Sequence, residues 1–415
     1  NLPSSASMTL TGGKIWGEVS ESFLSTLKNN LSAGGKTYRP VSLWINWPVT
    51  DNSKQHLILG GGEKFLHPNV DPSLLSGIML NPMQQSEPSK IALFSGAQYS
   101  WKQWKSEEEA KKINDIAFNF VENGHFEDSK VSAAFRELGK HMINQNMDTR
   151  VVKLEESVDL APKLTDFMTK LKAGQDVTAE RAALRAEFAK IKEAAELYKA
   201  SGDKKMVAQI HYWLDNAIDQ MNALDAFLTG TEAMATNDAA KLWDSYYKGL
   251  KFYEQSQTHT FHYVDHMEKA ELGVQHIRPF ILSLKEVLAS EVQKVLHPDQ
   301  IISTFITNRT GVEGGLAEVT DGDLATHAII KSPNSIKTGD YIGMKFNKPV
   351  AIQTLTFAMG TQANPRDTFS KAEVQYQDEN DNWVTLKEPS YVGNESLLKF
   401  ENLNIKAKAV RMIAT

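Results

Sequence analysis

The apolar residues of this chain change period twice. Over about the first hundred residues, short apolar runs alternate with amphipathic stretches. From about residue 103 to 300 they recur every three or four positions, and beyond His297-Pro298 every second position. Three successive periods do not fit one layer architecture, since a helix and a strand present their apolar faces differently. The 415 residues also exceed an ordinary single domain. We read three regions: 1–102, alternating strands and helices; 103–300, an α-helical bundle; 301–415, a β-sandwich.

In the first region Met8-Thr9-Leu10 is a short strand, Ser20–Leu31 a helix, and Val41–Asn46 and Gly77–Asn81 are strands. Ile91–Gly96 begins a further helix. Strand and helix in alternation imply parallel pairing. Three such strands cannot bury both faces of a parallel sheet alone.

Polar groups gather where the second of these strands ends, in Trp44-Ile45-Asn46-Trp47-Pro48-Val49-Thr50-Asp51. Pro48 has no N–H to continue a ladder. An amide and a carboxylate can bond hydroxyls while an indole covers an apolar sugar face. The other reading is a plain strand-to-loop junction, with the tryptophans in the core and Asp51 capping a turn.

Trp44-x-Asn46-x-Pro48-Val49-Thr50-Asp51 resembles a segment of glycoside hydrolase family 84. Leu80-Asn81-Pro82-Met83-Gln84-Gln85-Ser86, followed by Tyr99-Ser100-Trp101, resembles the segment on the next strand of that family. The likeness extends over about residues 8–300 and is sharpest over 38–104. It implies a bacterial β-N-acetylglucosaminidase or O-GlcNAcase-like protein, often labelled hyaluronidase. The first region would then be the C-terminal part of a (β/α)8 barrel, strands six to eight, with its site at the carboxyl ends of the strands. A helical domain follows the barrel in the family. Catalysis there is substrate-assisted and retaining: the acetamido group is the nucleophile, with two adjacent acidic residues around it.

The resemblance places that acidic pair on an earlier strand, so no catalytic residue is expected in this chain, which alone should be inactive. Asn1 is not a natural start, and the numbering is expected to begin inside a longer protein. What the family implies here is the far wall of the sugar pocket. Asp51 would accept hydrogen bonds from ring hydroxyls, Asn46 and Asn81 would bond other polar groups, and Trp44 would line the pocket. The partner would be a glycan ending in N-acetylglucosamine.

Leu184, Phe188, Ile191, Ala195 and Tyr198 form one helical stripe, and Met206, Ile210, Trp213, Ala217, Met221 and Leu224 another. Gly202 and Gly230 punctuate the pattern, a start falls at Thr178, and Asn237-Asp238 interrupts it weakly. One helix reaches about Thr258 and another covers Asp265–Leu296. His259, His262 and His266 fall at helical spacing and read as a polar bundle face, with a metal site as the lesser alternative. Gly60-Gly61-Gly62-Glu63 lacks the Gly-Lys-Ser/Thr of a phosphate loop and reads as a mobile loop. Glu107-Glu108-Glu109 is a solvated helix start. Trp101 and Trp104 anchor the bundle or cover the base of the pocket.

In the third region, strands are expected at Tyr341–Phe346, Gln353–Ala358, Ala372–Gln377, Trp383–Leu386, Leu397–Phe400 and Ala409–Ile413. Asp321-Gly322-Asp323…Thr326, the 372–376 strand and Trp383 resemble a discoidin-type module, a group that includes family 32 carbohydrate-binding modules. His327 stands where the usual aromatic would follow Thr326. The likeness implies a structural calcium on Asp321, Asp323 and Thr326, with a simple Asp-Gly turn as the alternative. No cofactor is expected for catalysis.

The net charge of −6 argues against nucleic acid as a partner. The absence of cysteine excludes disulfides and thiolate chemistry. No run of eighteen apolar residues spans a membrane. A secreted or cell-surface protein is the localisation expected from the family. The alternative function is a non-catalytic carbohydrate-binding and spacer region, and a third is an adhesin-like protein using only the bundle and sandwich. Neither the natural glycan nor the oligomeric state is legible.

Overall fold

The computed structural model describes residues 6–51, 55–143, 152–296, 301–309, 312–320, 322–323, 326–330, 336–360, 368–393 and 395–415. It divides into two compact units, Asn1–Lys285 and Glu286–Thr415.

The first unit opens with a three-stranded parallel sheet in the order β1 (Thr9–Leu10), β2 (Val41–Pro48), β3 (Leu75–Asn81). Helix α1 (Glu21–Leu31) connects β1 to β2, and a short α2 (Gly62–Phe65) lies between β2 and β3. β2 alternates: Val41, Leu43, Ile45 and Trp47 are fully buried, while Ser42, Trp44 and Asn46 are not. Both faces of a parallel strand are ordinarily covered. Here Trp44 stays 41% exposed beside Met79, its partner in the ladder, at 40%. The strand therefore buries one face and leaves the other partly open.

Helices α3 (Ser86–Trp101), α4 (Glu107–Asn123) and α5 (Lys130–Gly139) follow. Ser106 caps α4 by accepting the Glu109 N–H, and the three glutamates stand in its first turn as the dipole favours. Trp104 is buried and meets Tyr99 edge-on at 5.0 Å, so it anchors the fold. Trp101 is 90% exposed and neither anchors nor covers anything. Gly60–Gly62 are buried, which corrects the expected mobile loop. Gly61 takes φ +81°, and a Cβ there would come within 2.5 Å of Leu154. Trp47 donates its indole N–H to the Gly60 carbonyl at 2.9 Å. The glycines serve close packing rather than motion.

Three long helices follow α6 (Ala161–Lys172): α7 (Thr178–Ser201), α8 (Lys204–Thr236) and α9 (Ala239–Ser256). α8 packs against both α7 and α9, and both stripes read from the sequence are buried. Gly202 ends α7, but Gly230 lies inside α8, which runs on to a left-handed Asn237. Asp238 then caps α9 by accepting the Lys241 N–H.

The expected helix over Asp265–Leu296 is not formed as such. Thr260–Tyr263 (β4) and His266–Lys269 (β5) make a hairpin, and the helix α10 spans Ile277–Leu296. Phe261 is buried on the hairpin while its neighbour His262 is exposed, the period-two pattern of a strand. The histidines thus stand on and beside strands, not on one helix face. His259 Nε2 lies 2.7 Å from Asp219, and His266 meets Asp265 and Glu268. Among the described residues no group of three or more His, Asp or Glu could hold a metal.

A buried polar knot sits under the hairpin's exit. Glu156 and Gln275 exchange hydrogen bonds through their main-chain N–H groups and side-chain oxygens. Glu156 is fully buried, and burial pushes its carboxyl up to about 8, with nearby Glu271 adding to the effect. His141 is buried beside it, its Nδ1 2.8 Å from Ser157 Oγ, and burial holds its imidazole down at about 4.

The second unit contains a five-stranded antiparallel sheet in the order β12 (Trp383–Thr385), β11 (Ala372–Gln377), β14 (Ile405–Ala414), β9 (Tyr341–Ile352), β6 (Ser303–Thr307). A second pair joins β10 (Leu355–Ala358) to β13 (Leu397–Phe400). Phe369, Val374, Leu398, Phe400 and Met412 share one core, so strands of both sheets contribute to it. β7 (Val312–Glu313), α11 (Leu316–Thr320) and β8 (Ile329–Ile330) are short additions. On the other face of the large sheet, the Arg411 guanidinium lies 3.8 Å from the Trp383 ring centroid and 5.2 Å from that of Tyr341. The expected strands Tyr341–Phe346, Ala372–Gln377, Leu397–Phe400 and Ala409–Ile413 fall within these elements; Gln353–Ala358 begins two residues before β10, Trp383–Leu386 overruns β12 by one, and β6 was not anticipated. Asn364-Pro365, a turn signal in the sequence between two of these strands, lies outside the described residues.

Candidate functional site

The carboxyl ends of β2 and β3 meet through one amide. Asn46 Oδ1 accepts from the Trp44 indole at 2.7 Å and from Asn81 Nδ2 at 3.0 Å. Its Nδ2 donates to the Ile15 carbonyl at 2.5 Å, in the segment that follows β1. One side chain therefore ties the ends of all three parallel strands. The Val49 N–H donates to the Asn81 carbonyl at 3.0 Å, which brings the two loops together beyond the ladder.

Asn46, Asn81 and Trp44 are thus adjacent. Both Asn46 acceptor directions are taken by protein donors, so its remaining capacity is an N–H. Asn81 spends one side-chain N–H on Asn46, which leaves its carbonyl oxygen and second N–H as further bonding capacity. Asp51 is exposed in the turn just beyond β2. Trp47, quoted in the same motif, faces the other way and stacks on Phe65 at 5.9 Å in the core.

Two contributors were missed in the sequence. Gln84 lies three residues past Asn81 and reaches the β4–β5 hairpin. Its Nε2 donates to the His262 carbonyl at 2.7 Å, and its Oε1 accepts the Val264 N–H at 3.1 Å. The Tyr263 phenol is raised from its ordinary value, first by burial and then by the Asp51 carboxylate and Glu268. The hairpin therefore stands beside the strand ends. Its only signal in the sequence was the aromatic and β-branched run Thr260–Tyr263, which the histidine spacing masked.

Of the candidate calcium ligands, Asp321 lies outside the described residues. Thr326 donates from its main-chain N–H and from Oγ1 to the Asp323 carbonyl, at 3.3 Å and 2.9 Å. Asp323 and Thr326 therefore share one tight turn rich in hard oxygens, a donor chemistry that suits calcium.

Residues 1–139 match the family model described as beta-N-acetylglucosaminidase, and residues 159–259 that described as Hyaluronidase post-catalytic domain-like. Among solved structures, the fold is similar to that of CpGH84D, at 24% identity and a TM-score of 0.61 over 70% of this chain and 46% of that one. CpGH84B gives 22% identity and a TM-score of 0.53 over 68% and 45%. A mutant of the Thermobaculum terrenum O-GlcNAc hydrolase gives 17% and 0.55 over 72% and 58%. The chain spans about half the length of these relatives. The two family-model matches give the class, a glycoside-hydrolase-like protein. Within that class the chain is a family-84-like protein, resembling the β-N-acetylglucosaminidases and O-GlcNAc hydrolases.

Proposed function

We propose that the intact protein removes terminal β-linked N-acetylglucosamine from glycans or glycoproteins by substrate-assisted, retaining hydrolysis. In this reading the parallel sheet is the C-terminal part of a (β/α)8 barrel, the long helices are the bundle behind it, and the second unit is a discoidin-like β-sandwich. The acidic pair comes from outside this chain. The residues described here hold the sugar: Asp51 accepts from ring hydroxyls, Asn81 offers its free amide atoms, and Trp44 lines the ring. Asn46 positions Trp44 and Asn81 and offers its one remaining N–H. The observation that carries the reading is the single cluster of Trp44, Asn46 and Asn81 at two adjacent strand ends, with Asp51 in the turn beyond. We also place the protein outside the cell or at its surface, where such glycans are met, and assign Asp321, Asp323 and Thr326 a structural calcium.

The test is Asp51→Ala in the full-length protein, assayed on an aryl N-acetylglucosaminide. Losing a hydrogen bond to a charged group costs about 1.5–3 kcal/mol, so kcat/KM should fall by about tenfold or more. Activity near that of the unsubstituted protein removes Asp51 from the site. Glycan binding with no turnover by the full-length protein would favour a carbohydrate-binding spacer instead.

A further inference from the structure

The outer face of the second unit's large sheet carries a charge that the fold does not neutralise. Arg411 stands on β14, the central strand, with Gln375 of β11 and Gly343 of β9 as its ladder partners. Its guanidinium lies on Trp383 and beside Tyr341. Gln375 Oε1 accepts from Arg411 Nε at 3.0 Å and from Nη2 at 2.7 Å. Among the described residues no carboxylate pairs with Arg411, whereas Arg309 of the same unit lies 3.0 Å from Asp340. Burial holds the Arg411 guanidinium below its ordinary value, as expected of a cation drawn partly out of water with no anion beside it.

The geometry of these bonds leaves one edge of the guanidinium open. Five N–H groups lie in its plane. Gln375 takes the edge formed by Nε and Nη2. Both Nη1 N–H groups and the second Nη2 N–H remain. The Nη1–Nη2 edge is a fork that grips a carboxylate or a sulfate through two parallel bonds. Gly343 brings no side chain against it. The aromatic stack and the amide hold the guanidinium in place before any ligand arrives, which lowers the cost of binding.

An acceptor stands next to the fork. Gln375 Nε2 donates to Glu373 Oε2 at 3.1 Å, and Thr385 Oγ1 donates to the same oxygen at 2.8 Å. Glu373 is exposed, and its Oε1 takes neither bond. A ligand that suits this face therefore carries an oxyanion with a hydroxyl donor close by. A sugar acid or a sulfated sugar has both on one ring, and Trp383 offers apolar surface to the C–H face of that ring. An aspartate or glutamate side chain has only methylene beside its carboxylate, and a run of them meets Glu373 as a like charge.

We propose that Arg411, Gln375, Glu373 and Trp383 form a binding site for an acidic glycan, in which Arg411 grips the carboxylate or sulfate of one sugar and Glu373 accepts from a hydroxyl of the same ring. The site goes beyond the strand-end reading. It shares no residue with Asp51 or Asn81 and takes no part in bond cleavage.

The experiment titrates the full-length protein calorimetrically with an oligouronate, a sulfated oligosaccharide, the carboxyl-reduced neutral form of the oligouronate, and an oligoglutamate. At least one acidic oligosaccharide should bind about tenfold or more tightly than the neutral form, and the tighter of the two identifies the anion. Arg411→Lys keeps the charge but loses the fork, so that binding should weaken about tenfold. Glu373→Ala should narrow the preference for the acidic sugar over oligoglutamate by about threefold or more. Asp51→Ala should leave the affinity unchanged. The comparison of ligands on the unsubstituted protein decides the matter even where a variant fails to fold. Equal binding of the neutral form, oligoglutamate bound as tightly as the sugars, or no binding at all would each overturn the site. So would an affinity indifferent to Arg411→Lys, a preference indifferent to Glu373→Ala, or a loss in Asp51→Ala.

Discussion

Asn81 Nδ2 donates to Asn46 Oδ1 at 3.0 Å, across the ends of two adjacent parallel strands. The same oxygen takes the Trp44 indole N–H, and the same amide reaches back to Ile15. Asn46 is thus first a support, and only then a ligand contact. Asn46→Ala removes three hydrogen bonds, two exposed and one part-buried, and should cost about 1–3 kcal/mol of stability. Asn81→Ala leaves Asn46 with two of its partners and should cost less. Urea unfolding of the two variants side by side checks the order, and an equal or reversed loss would show that Asn46 does not bind the strand ends together.

The buried knot at Glu156 gives stability a pH dependence with a definite sign. Its folded value of about 8 lies above the ordinary 4.5, so its contribution is complete below pH 4.5 and is lost as pH rises toward 8. His141, near 4 instead of 6.5, contributes above pH 6.5 and loses that as pH falls toward 4. From these two groups the slopes cancel between about pH 4.5 and 6.5. Above that range stability should fall by up to about 1.4 kcal/mol per pH unit until pH 8. Glu156→Gln should flatten the alkaline fall, as read by thermal melting across pH, and a variant that keeps the fall unchanged assigns it elsewhere.

Gly343 lies opposite Arg411 in the β9–β14 ladder. A Cβ there would meet the Val410 carbonyl oxygen at 2.2 Å and the Arg411 Cα at 2.8 Å, and main-chain atoms of the paired strand cannot cheaply give way. Gly343→Ala should destabilise the protein by about 1–3 kcal/mol. It should also disturb the Arg411 stack on Trp383, so tryptophan fluorescence and denaturant midpoint should shift together. A shift in neither would mean that the two strands can part locally without cost.

Calcium should raise the melting temperature of the intact protein if Asp321, Asp323 and Thr326 hold the ion, because a ligand that binds only the folded state stabilises it. Asp323→Ala should remove that rise. A melting temperature indifferent to calcium and to chelator reduces the segment to an Asp-Gly turn.

Local chemistry explains what the sequence disclosed. Asn46 and Asn81 each close a hydrophobic run, and strands that pair in parallel bring such ends side by side. The stripes of α7 and α8 are legible because every member points one way. Harder to read was the hairpin: His259, His262 and His266 mimic a helical period, and Val264-Asp265 lacks the usual turn residues. The pairing that decides the matter comes from Gln84 and from Trp213, whose ring packs on Phe261, both far away in sequence. Glu156 was silent for a similar reason, since its partner Gln275 lies 119 residues on. Gly60–Gly62 look like slack chain until Leu154 and Trp47 are placed against them.

Trp47 begins the loop that bears Asp51 and also ends it, by gripping Gly60 thirteen residues later. The two described ends of that loop are therefore held together by the fold itself, whatever touches them from outside. Substituting Trp47 by phenylalanine would keep much of the core volume but unfasten this leash. The damage should then appear as slower capture of substrate, at a residue that never meets it.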